Sequence, residues 1–467
     1  MKFSFILFFL SINACYANEN SISEQQRETA EELIEQALTN DMAYSIVESL
    51  TTEIGPRLAG SNAEKLARDW AKNLGTELNF DKVTIENFSI PFWDRGDLTI
   101  KLTSPYTQEL YGTALGGAAP SANEINAELV YFKSLDQLIS LNKDELNNKI
   151  AFIDGDIMVK SQTGASYRSA NQRRRIGWQL AQRAGASALV IRSVGSDSHR
   201  FAHAGMMSKA DDGTWASIPV IAISNPDADH LRRLHKLDKP LALAISSESQ
   251  WKNEVESGNV ILDIIGSEKP NEIVLIGAHL DSWDLGTGAV DDGAGIAIVT
   301  AAAKLISDLP QRPKRTIRVV MFGAEEVGIL GAREYAKQHT NELEQHIVAT
   351  ESDFGARTVW QLSSNVNQQA SLLLDEIAAI LSPLGVIRGD NDHTSGGPDI
   401  TPLVHKNVAT IRLQQNGMDY FDLHHTPDDT LDKIDPTELA QNVAAYAATI
   451  FLIADSEIVF KRTEQEE

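Results

Sequence analysis

The sequence predicts an α/β protein whose main sheet is mostly parallel and flanked by helices. From residue 257 onward, apolar strand-like runs such as "NVILDIIG" alternate with helical segments such as "AGIAIVTAAAKLISDL". This alternation is typical of a parallel sheet with helices on its faces. Residues 105–250 differ, because their apolar runs are shorter and are separated by turns. We therefore expect the middle region to be an inserted β-rich domain.

Composition narrows the class of protein. The chain has 467 residues, enough for two or three domains with separate cores. Its 42% hydrophobic and 23% charged residues are typical of a globular protein. The formal net charge of −24 argues against a nucleic-acid partner, because phosphate binding requires clustered Lys and Arg.

The N-terminus has the layout of a secretory signal. Lys2 precedes an apolar run over residues 3–12, and small residues lead to Ala17. This pattern predicts a signal peptide over residues 1–17 and export of the remainder to a periplasmic or extracellular location. The run is too short to span a bilayer, and no later segment is apolar enough to do so. Cys15 is the only cysteine, so any metal site must use His, Asp and Glu.

The rest of the chain divides around the inserted region. Residues 18–104 are expected to form the N-terminal part of the main domain, and residues 251–467 its remainder. A single helix is predicted over residues 21–55, because apolar residues recur there every three or four positions. Ser23 and Gln26 have the spacing of a capping box at its start.

Histidines and carboxylates follow several strand candidates of the last region. They are His279 and Asp281 after "IVLIGAHL", Asp291 and Asp292 before a helix, Glu325 and Glu326 ending "TIRVVMFGAEE", Asp353 ending "HIVATESD", and His424 and His425 in "DLHHTPDDT". Because the carboxyl ends of parallel strands meet at one edge of a sheet, these side chains are expected to converge. Buried carboxylates are costly unless paired, solvated or bound to a metal, so the convergence predicts a cation site.

The residue types define the chemistry of that site. Oxygen and nitrogen ligands without thiolates suit zinc, and a shared carboxylate allows two ions about 3.5 to 4 Å apart. Adjacent Glu325 and Glu326 could divide the roles of general base and ligand. Asp281 lies two residues after His279 and is placed to orient its imidazole.

Each of these residues also has an ordinary interpretation. His279 could be a core histidine, and Asp291 and Asp292 could cap the following helix. His424 fits a polar role in its loop better than metal ligation, and His393 could line the cleft. The convergence of several segments favours the metal interpretation over these alternatives.

Five motifs in order resemble the M28 family of co-catalytic zinc exopeptidases. They are "IGPRLAGS", "HLDSWDLGTGAVDDGAG", "AEEVGILGA", "ESDFG" and "HHTPDDTLDKID". The likeness covers nearly all of the chain after residue 17. Residues 105–250 resemble the protease-associated (PA) insert of one branch of this family. The resemblance implies a zinc-exopeptidase-like fold, a peptide substrate and a homodimer.

The resemblance also implies a role for each site residue. The implied ligands are His279 and Asp353 for one zinc ion, Glu326 and His425 for the second, and Asp291 bridging both. Glu325 would be the general base. Asp292 stands after the bridging residue, where the family often has a cis peptide.

Three functions are compatible with this fold. The first is a secreted exopeptidase that hydrolyses dipeptides or short peptides. The second is a glutaminyl-cyclase-like transferase with a single zinc ion, against which the retention of both His279 and Asp353 argues. The third is a binding protein that has lost its metals, although here all five ligand positions are filled. The choice between amino- and carboxy-terminal specificity stays open.

The signal prediction can be tested directly. Cleavage after Ala17 would give an exported protein that begins at Asn18. N-terminal sequencing of the exported protein is expected to return Asn18 as the first residue. An intact Met1, or a lipid attached to Cys15, would contradict this prediction.

Overall fold

The fold is described by a computed structural model that covers residues 21–391 and 394–463. It contains two eight-stranded sheets with helices around them, so the predicted α/β class is confirmed. The predicted signal segment, residues 1–17, and His393 lie outside the described residues.

The elements are numbered here in chain order. The strands are β1 Lys82–Asp94, β2 Leu98–Ser104, β3 Gln108–Glu109, β4 Gly112–Ala114, β5 Ile125–Phe132, β6 Ile150–Ile153, β7 Ala188–Arg192, β8 Val220–Ile223, β9 Ala242–Ser247, β10 Gln250–Ile264, β11 Lys269–His279, β12 Arg315–Phe322, β13 His346–Glu351, β14 Val359–Asn365, β15 Ile387–Asn391 and β16 Thr410–Gln415. The α-helices are α1 Glu24–Leu38, α2 Met42–Ser49, α3 Asn62–Glu77, α4 Leu135–Ile139, α5 Tyr167–Ala170, α6 Gln172–Arg175, α7 Gly177–Arg183, α8 Asn225–Lys236, α9 Ala294–Ser307, α10 Leu330–Gln338, α11 Gln368–Leu381, α12 Thr401–Val404, α13 Tyr420–Leu423 and α14 Pro436–Asp455.

The first sheet has the strand order β1-β10-β12-β11-β13-β16-β14-β15. Its four central strands are parallel, whereas β1, β10 and β14 pair antiparallel with their inner neighbours. In the central register His279 pairs with Phe322, so β11 and β12 end at the same level. The chain segments that follow these strands therefore emerge side by side at one edge.

Helices cover both faces of this sheet. On one face α9 and α14 are buried along almost their whole length, and α1 packs against α14. On the other face the buried side of α10 packs with α12 onto β12 and β13. A parallel sheet covered on both faces explains why its strands read as continuous apolar runs.

The N-terminal segment differs from the single predicted helix. The capping box is present, since Ser23 N–H donates to Gln26 Oε1 at 3.0 Å and Gln26 N–H donates to Ser23 Oγ at 3.2 Å. The helix ends at Leu38, however, and a second helix begins at Met42. Met42 N–H donates to Asn40 Oδ1 at 2.7 Å. A short polar side chain that binds nearby backbone competes with helix continuation, which accounts for the break.

The second sheet has the order β3-β2-β9-β5-β6-β7-β8-β4. Strands β5 to β8 are parallel, and short helices lie between them, so this part of the chain is itself α/β in character. Its first strand is β2, which pairs with β9, so the sheet begins at Leu98, ahead of the predicted boundary at residue 105. We call residues 98–247 the second unit.

Among residues 21–391 and 394–463, no helix is both long enough and apolar enough to cross a bilayer.

Candidate metal centre

The predicted site residues all lie at the carboxyl edge of the first sheet. The supporting segments are the end of β11 for His279, the turn before α9 for Asp291, the segment after β12 for Glu325 and Glu326, the segment after β13 for Asp353, and the loop after α13 for His425. Their convergence follows from the parallel centre of the sheet.

Asp291 lies between two imidazoles. Its Oδ1 is 3.1 Å from His279 Nε2, and its Oδ2 is 3.3 Å from His425 Nε2. A further carboxylate approaches the same nitrogen of each ring: Glu326 Oε2 is 2.9 Å from His425 Nε2, and Asp353 Oδ1 is 3.7 Å from His279 Nε2. Two imidazole–carboxylate groups thus share one central carboxylate.

The polar atoms of this cluster fit divalent cations. Asp291 Oδ2, Glu326 Oε1 and Asp353 Oδ1 are buried and have no hydrogen-bond partner among the described residues. His279, Asp291 and Glu326 offer ligand atoms within 4.8 Å of one another. Buried carboxylate oxygens without donors are costly, and cations between them would remove that cost.

The pKa shifts of the metal-free chain also support a cation site. Burial raises the pKa of Glu326 well above its usual range, and the neighbouring Asp291 carboxylate raises it further. Burial by itself lowers the pKa of His279, but the neighbouring carboxylates of Asp291 and Asp353 raise it well above the usual value. Burial lowers the pKa of His425, which favours the neutral imidazole that binds metals. The cluster holds more buried negative charge than its own side chains neutralise.

Asp281 contacts the site differently from the prediction. Its main-chain oxygen accepts from His279 Nδ1 at 2.9 Å, whereas its carboxylate lies 3.8 Å from that nitrogen. The carboxylate instead accepts the backbone N–H groups of Glu325 at 3.0 Å and Glu326 at 3.3 Å. Asp281 therefore links the imidazole of His279 to the backbone of the glutamate pair.

Two further carboxylates hold the turn that carries Asp291. Asp292 accepts the N–H groups of His279 and Gly295, each at 3.0 Å, and a cis peptide joins it to Asp291. Asp429 accepts the N–H groups of Val290 at 2.6 Å and of Asp291 at 3.2 Å. Asp429 lies in the motif "HHTPDDTLDKID", whose spacing alone indicated no role for it.

Arg57 was also missed. It is fully buried, and its guanidinium donates to the main-chain oxygens of Leu280 at 2.5 Å, Thr287 at 2.7 Å and Gly288 at 2.9 Å. Arg57 thereby fixes both ends of the loop between His279 and Asp291 and brings a positive charge beneath the carboxylates. Its motif "IGPRLAGS" was noticed as a resemblance only.

His424 lies beside the predicted ligand His425. The two rings stack with centroids 3.5 Å apart, and His424 Nε2 is 3.8 Å from Asp291 Oδ2. Only His425 combines a contact to Asp291 with one to Glu326 among the ion-pair contacts of the described residues. This difference agrees with the preference for His425.

A cavity of about 730 Å³ opens above the cluster. Glu325 and Asp353 lie in its wall on the side of the first sheet, and Tyr167, Arg174 and Trp215 contribute the wall on the side of the second unit. The second unit also contacts the predicted ligand His425 directly, since Arg174 Nη1 lies 3.3 Å from His425 Nδ1.

Arg412 provides an unpaired cation in this cavity. Its guanidinium carbon lies 5.7 Å from the centre of the Phe354 ring, and both residues line the cavity. Among the described residues it has no ion-pair partner and donates no side-chain hydrogen bond. In the sequence, Arg412 is recognisable only as a single Arg in an apolar strand, a pattern that does not predict a functional residue.

Comparison with known proteins identifies the family. The model of Peptidase family M28 matches residues 259–450. Human carboxypeptidase Q is 31% identical to the chain over 423 residues, which cover 90% of this chain and 87% of the human protein. Aminopeptidase YwaD of Bacillus subtilis is 25% identical over 432 residues, which cover 88% and 84% of the two chains.

Solved structures agree with these relatives. A peptidase M28 precursor from Shewanella amazonensis SB2B has a TM-score of 0.92 at 46% identity, and the match covers 95% of this chain and 99% of that one. BSAP, a zinc aminopeptidase from Bacillus subtilis, has a TM-score of 0.61 at 23% identity, covering 87% and 93%, and supports the fold alone. The resemblance inferred from the motifs is confirmed. The chain belongs to Peptidase family M28 and is a metallo-exopeptidase.

Proposed function

We propose that the protein is an exported di-zinc exopeptidase that hydrolyses dipeptides or short peptides. The observation that carries this proposal is the Asp291 carboxylate between His279 and His425, beside the cavity that Glu325 lines. In the proposed arrangement, His279 and Asp353 hold one ion, Glu326 and His425 hold the other, and Asp291 bridges them. Two zinc ions bound there would polarise the peptide carbonyl and lower the pKa of an attacking water.

Glu325 is the proposed general base. Its carboxylate is half-buried, accepts no hydrogen bond from the described residues and borders the cavity. It would take a proton from water as the water oxygen adds to the carbonyl carbon. The same carboxyl group would then give the proton to the departing amide nitrogen as the carbon–nitrogen bond breaks. Asp281 holds the backbone of Glu325 during these transfers.

The cavity favours short substrates with a free carboxyl end. The second unit covers the side opposite the proposed metal ligands, and the cavity of about 730 Å³ between them supports a substrate of a few residues. Arg412 is a half-buried cation of the cavity with no ion-pair partner among the described residues, and it would bind a terminal carboxylate by charge-assisted hydrogen bonds. Carboxy-terminal specificity is therefore the proposal for the end that the enzyme recognises.

The proposals of export and of a homodimer rest on features outside the candidate metal centre. The N-terminal signal pattern supports export to the periplasm or the extracellular space. A homodimer is implied by the family resemblance alone, and its mass in solution would be twice that of one chain.

The metal content is the first test. The purified chain is expected to bind two zinc ions, because two imidazole–carboxylate groups share Asp291. Chelation should abolish peptidase activity, and added zinc should restore it. Zinc per chain and hydrolysis of dipeptides are measured on the same samples. Full activity without bound metal would refute the two-metal mechanism, and a single zinc with acyl-transfer activity would favour the transferase alternative.

The two glutamates are expected to respond differently to substitution. Glu325→Gln should lower kcat by about 10² to 10⁴-fold, the usual contribution of a general base, while zinc content stays unchanged. Glu326→Gln should lose zinc from one site and activity with it, because its carboxylate contacts His425 at 2.9 Å. Zinc content and kcat are measured for both. An active Glu325→Gln variant, or one that loses zinc, would show that the roles are wrongly assigned.

Arg412 can be tested with a matched pair of substrates. Arg412→Met should lower kcat/KM for a dipeptide with a free carboxyl end by about 10- to 100-fold, since a hydrogen bond to a charged group contributes about 1.5 to 3 kcal/mol. Hydrolysis of the same dipeptide as its C-terminal amide should change little. Arg333→Met, an exposed arginine at the same cavity, is the control. Equal losses on both substrates, or none, would argue against carboxylate recognition by Arg412.

A further inference from the structure

His425 has an unusual backbone conformation for a residue of its type. Its φ is 62°, in the left-handed region that side-chain-bearing residues seldom occupy. Such a conformation costs about 1 to 3 kcal/mol and persists where surrounding contacts impose it. The same residue directs Nε2 toward Glu326 and Asp291. The contacts that impose the conformation therefore also set the position of the imidazole.

Three residues of the second unit contact the loop of His425: His203, Ala204 and Arg174, whose Nη1 lies 3.3 Å from His425 Nδ1 and donates to Ala204 O at 3.0 Å. Ala204 N–H donates to His425 O at 2.9 Å, and Ala204 O lies 3.2 Å from His425 Nδ1. His203 Nδ1 lies 2.7 Å from the main-chain oxygen of His424. When Nε2 of His425 binds a metal, its ring proton is on Nδ1 and donates to Ala204 O. The left-handed residue is thus contacted at the main-chain oxygen of the preceding residue, at its own main-chain oxygen and at its side chain.

His203 is itself fixed in place. It is 1% exposed, and its Nε2 lies 2.6 Å from Asp197 Oδ2, a carboxylate oxygen of a residue that is 3% exposed. Both ring nitrogens thus face oxygen atoms. A Cβ atom at Gly195 would lie 2.1 Å from Nε2, so the ring occupies a space that only glycine leaves open. The orientation of Nδ1 toward His424 is therefore determined by its surroundings.

We propose that His203, anchored by Asp197, is a positioning residue of the metal centre. Its hydrogen bond to His424 O holds the backbone at His425, and this places the imidazole against Glu326 and the bridging carboxylate. The inference rests on the proposed role of His425 as a zinc ligand. The second unit would thereby control the affinity for zinc at one of the two metal positions. The zinc position formed by His279 and Asp353 has no such support from the second unit among these contacts, because His279 is held by Asp281 and Asp292 at the edge of the first sheet.

The proposal can be tested with two substitutions of one side chain. The amide nitrogen of Asn can replace Nδ1 of histidine, and that of Gln can replace Nε2. His203→Asn retains a donor toward His424 O, whereas His203→Gln retains only the donor toward Asp197. Zinc affinity is measured by titrating the metal-free chain with zinc in competition with a chelator. His203→Gln is expected to weaken one zinc site by about 10- to 100-fold and to leave the other unchanged. His203→Asn should stay within about threefold of the parent.

A second buried histidine provides the matched control. His346 is 3% exposed, its Nδ1 contacts Glu342 O at 3.1 Å, and its Nε2 contacts the Tyr335 hydroxyl at 2.7 Å. His346→Gln should lower thermal stability and leave both zinc affinities unchanged. If His203→Gln does not fold, Asp197→Asn retains the shape of the anchor and is expected to give a smaller loss at the same site.

Three results would overturn the proposal. They are unchanged zinc affinity in His203→Gln, equal weakening of both sites, and equal losses in the Asn and Gln variants, which would indicate a packing role. A parent chain that binds zinc but cleaves no peptide would refute the proposed function and leave this comparison valid. A parent chain that binds no zinc would refute both.

Discussion

The buried carboxylate of Asp291 is the group on which the arrangement of this molecule depends. A carboxylate removed from water between two imidazoles is stable only if its position and its charge are both controlled. The position of the Asp291 carboxylate is controlled by Asp429, which accepts the backbone N–H groups of Val290 and Asp291. The negative charge of Asp291 is partly balanced by Arg57, whose side chain is fully buried beneath the same loop. The remaining negative charge is what makes the cluster a receptor for cations.

The second unit contributes to the surroundings of this centre, whose predicted ligands lie at the edge of the first sheet. It forms the opposite wall of the cavity, and its backbone contacts the loop that carries His424 and His425. Further contacts extend the attachment: Ser196 Oγ donates to Asp422 Oδ1 at 2.7 Å, and Tyr167 stacks on Phe421 at a centroid distance of 4.6 Å. The site is therefore assembled from two parts of the chain that are distant in sequence, and neither part alone presents the whole of it.

Sequence predicted the parts of the fold that depend on local pattern. The strand ends could be located because apolar runs stop where His279 and Glu325 follow, and parallel strands bring such ends together. Strands β14 and β15 were not predicted, because their apolar residues are interrupted by polar ones. The break at Asn40 was missed because a single side-chain hydrogen bond overrides helical periodicity.

The missed site residues have a common physical cause. Arg57 binds main-chain oxygens, and any residue can supply those, so its partners leave no trace in the sequence. His203 contacts a residue 221 positions away, and no periodicity links the two. Asp281 lies beside His279, but whether its side chain or its backbone would contact the imidazole depends on a turn geometry that spacing alone does not define.

The attachment of Ala204 to His425 has a consequence for motion. A rotation that separated the second unit from the first sheet would break the hydrogen bonds at Ala204 and His203 and would release a left-handed residue. Hinge opening of the two units would then dismantle the catalytic centre in every turnover. Reactants would instead enter and leave past exposed side chains at the mouth of the cavity, such as Arg175 and Lys209, with the contacts between the second unit and the loop of His425 kept intact.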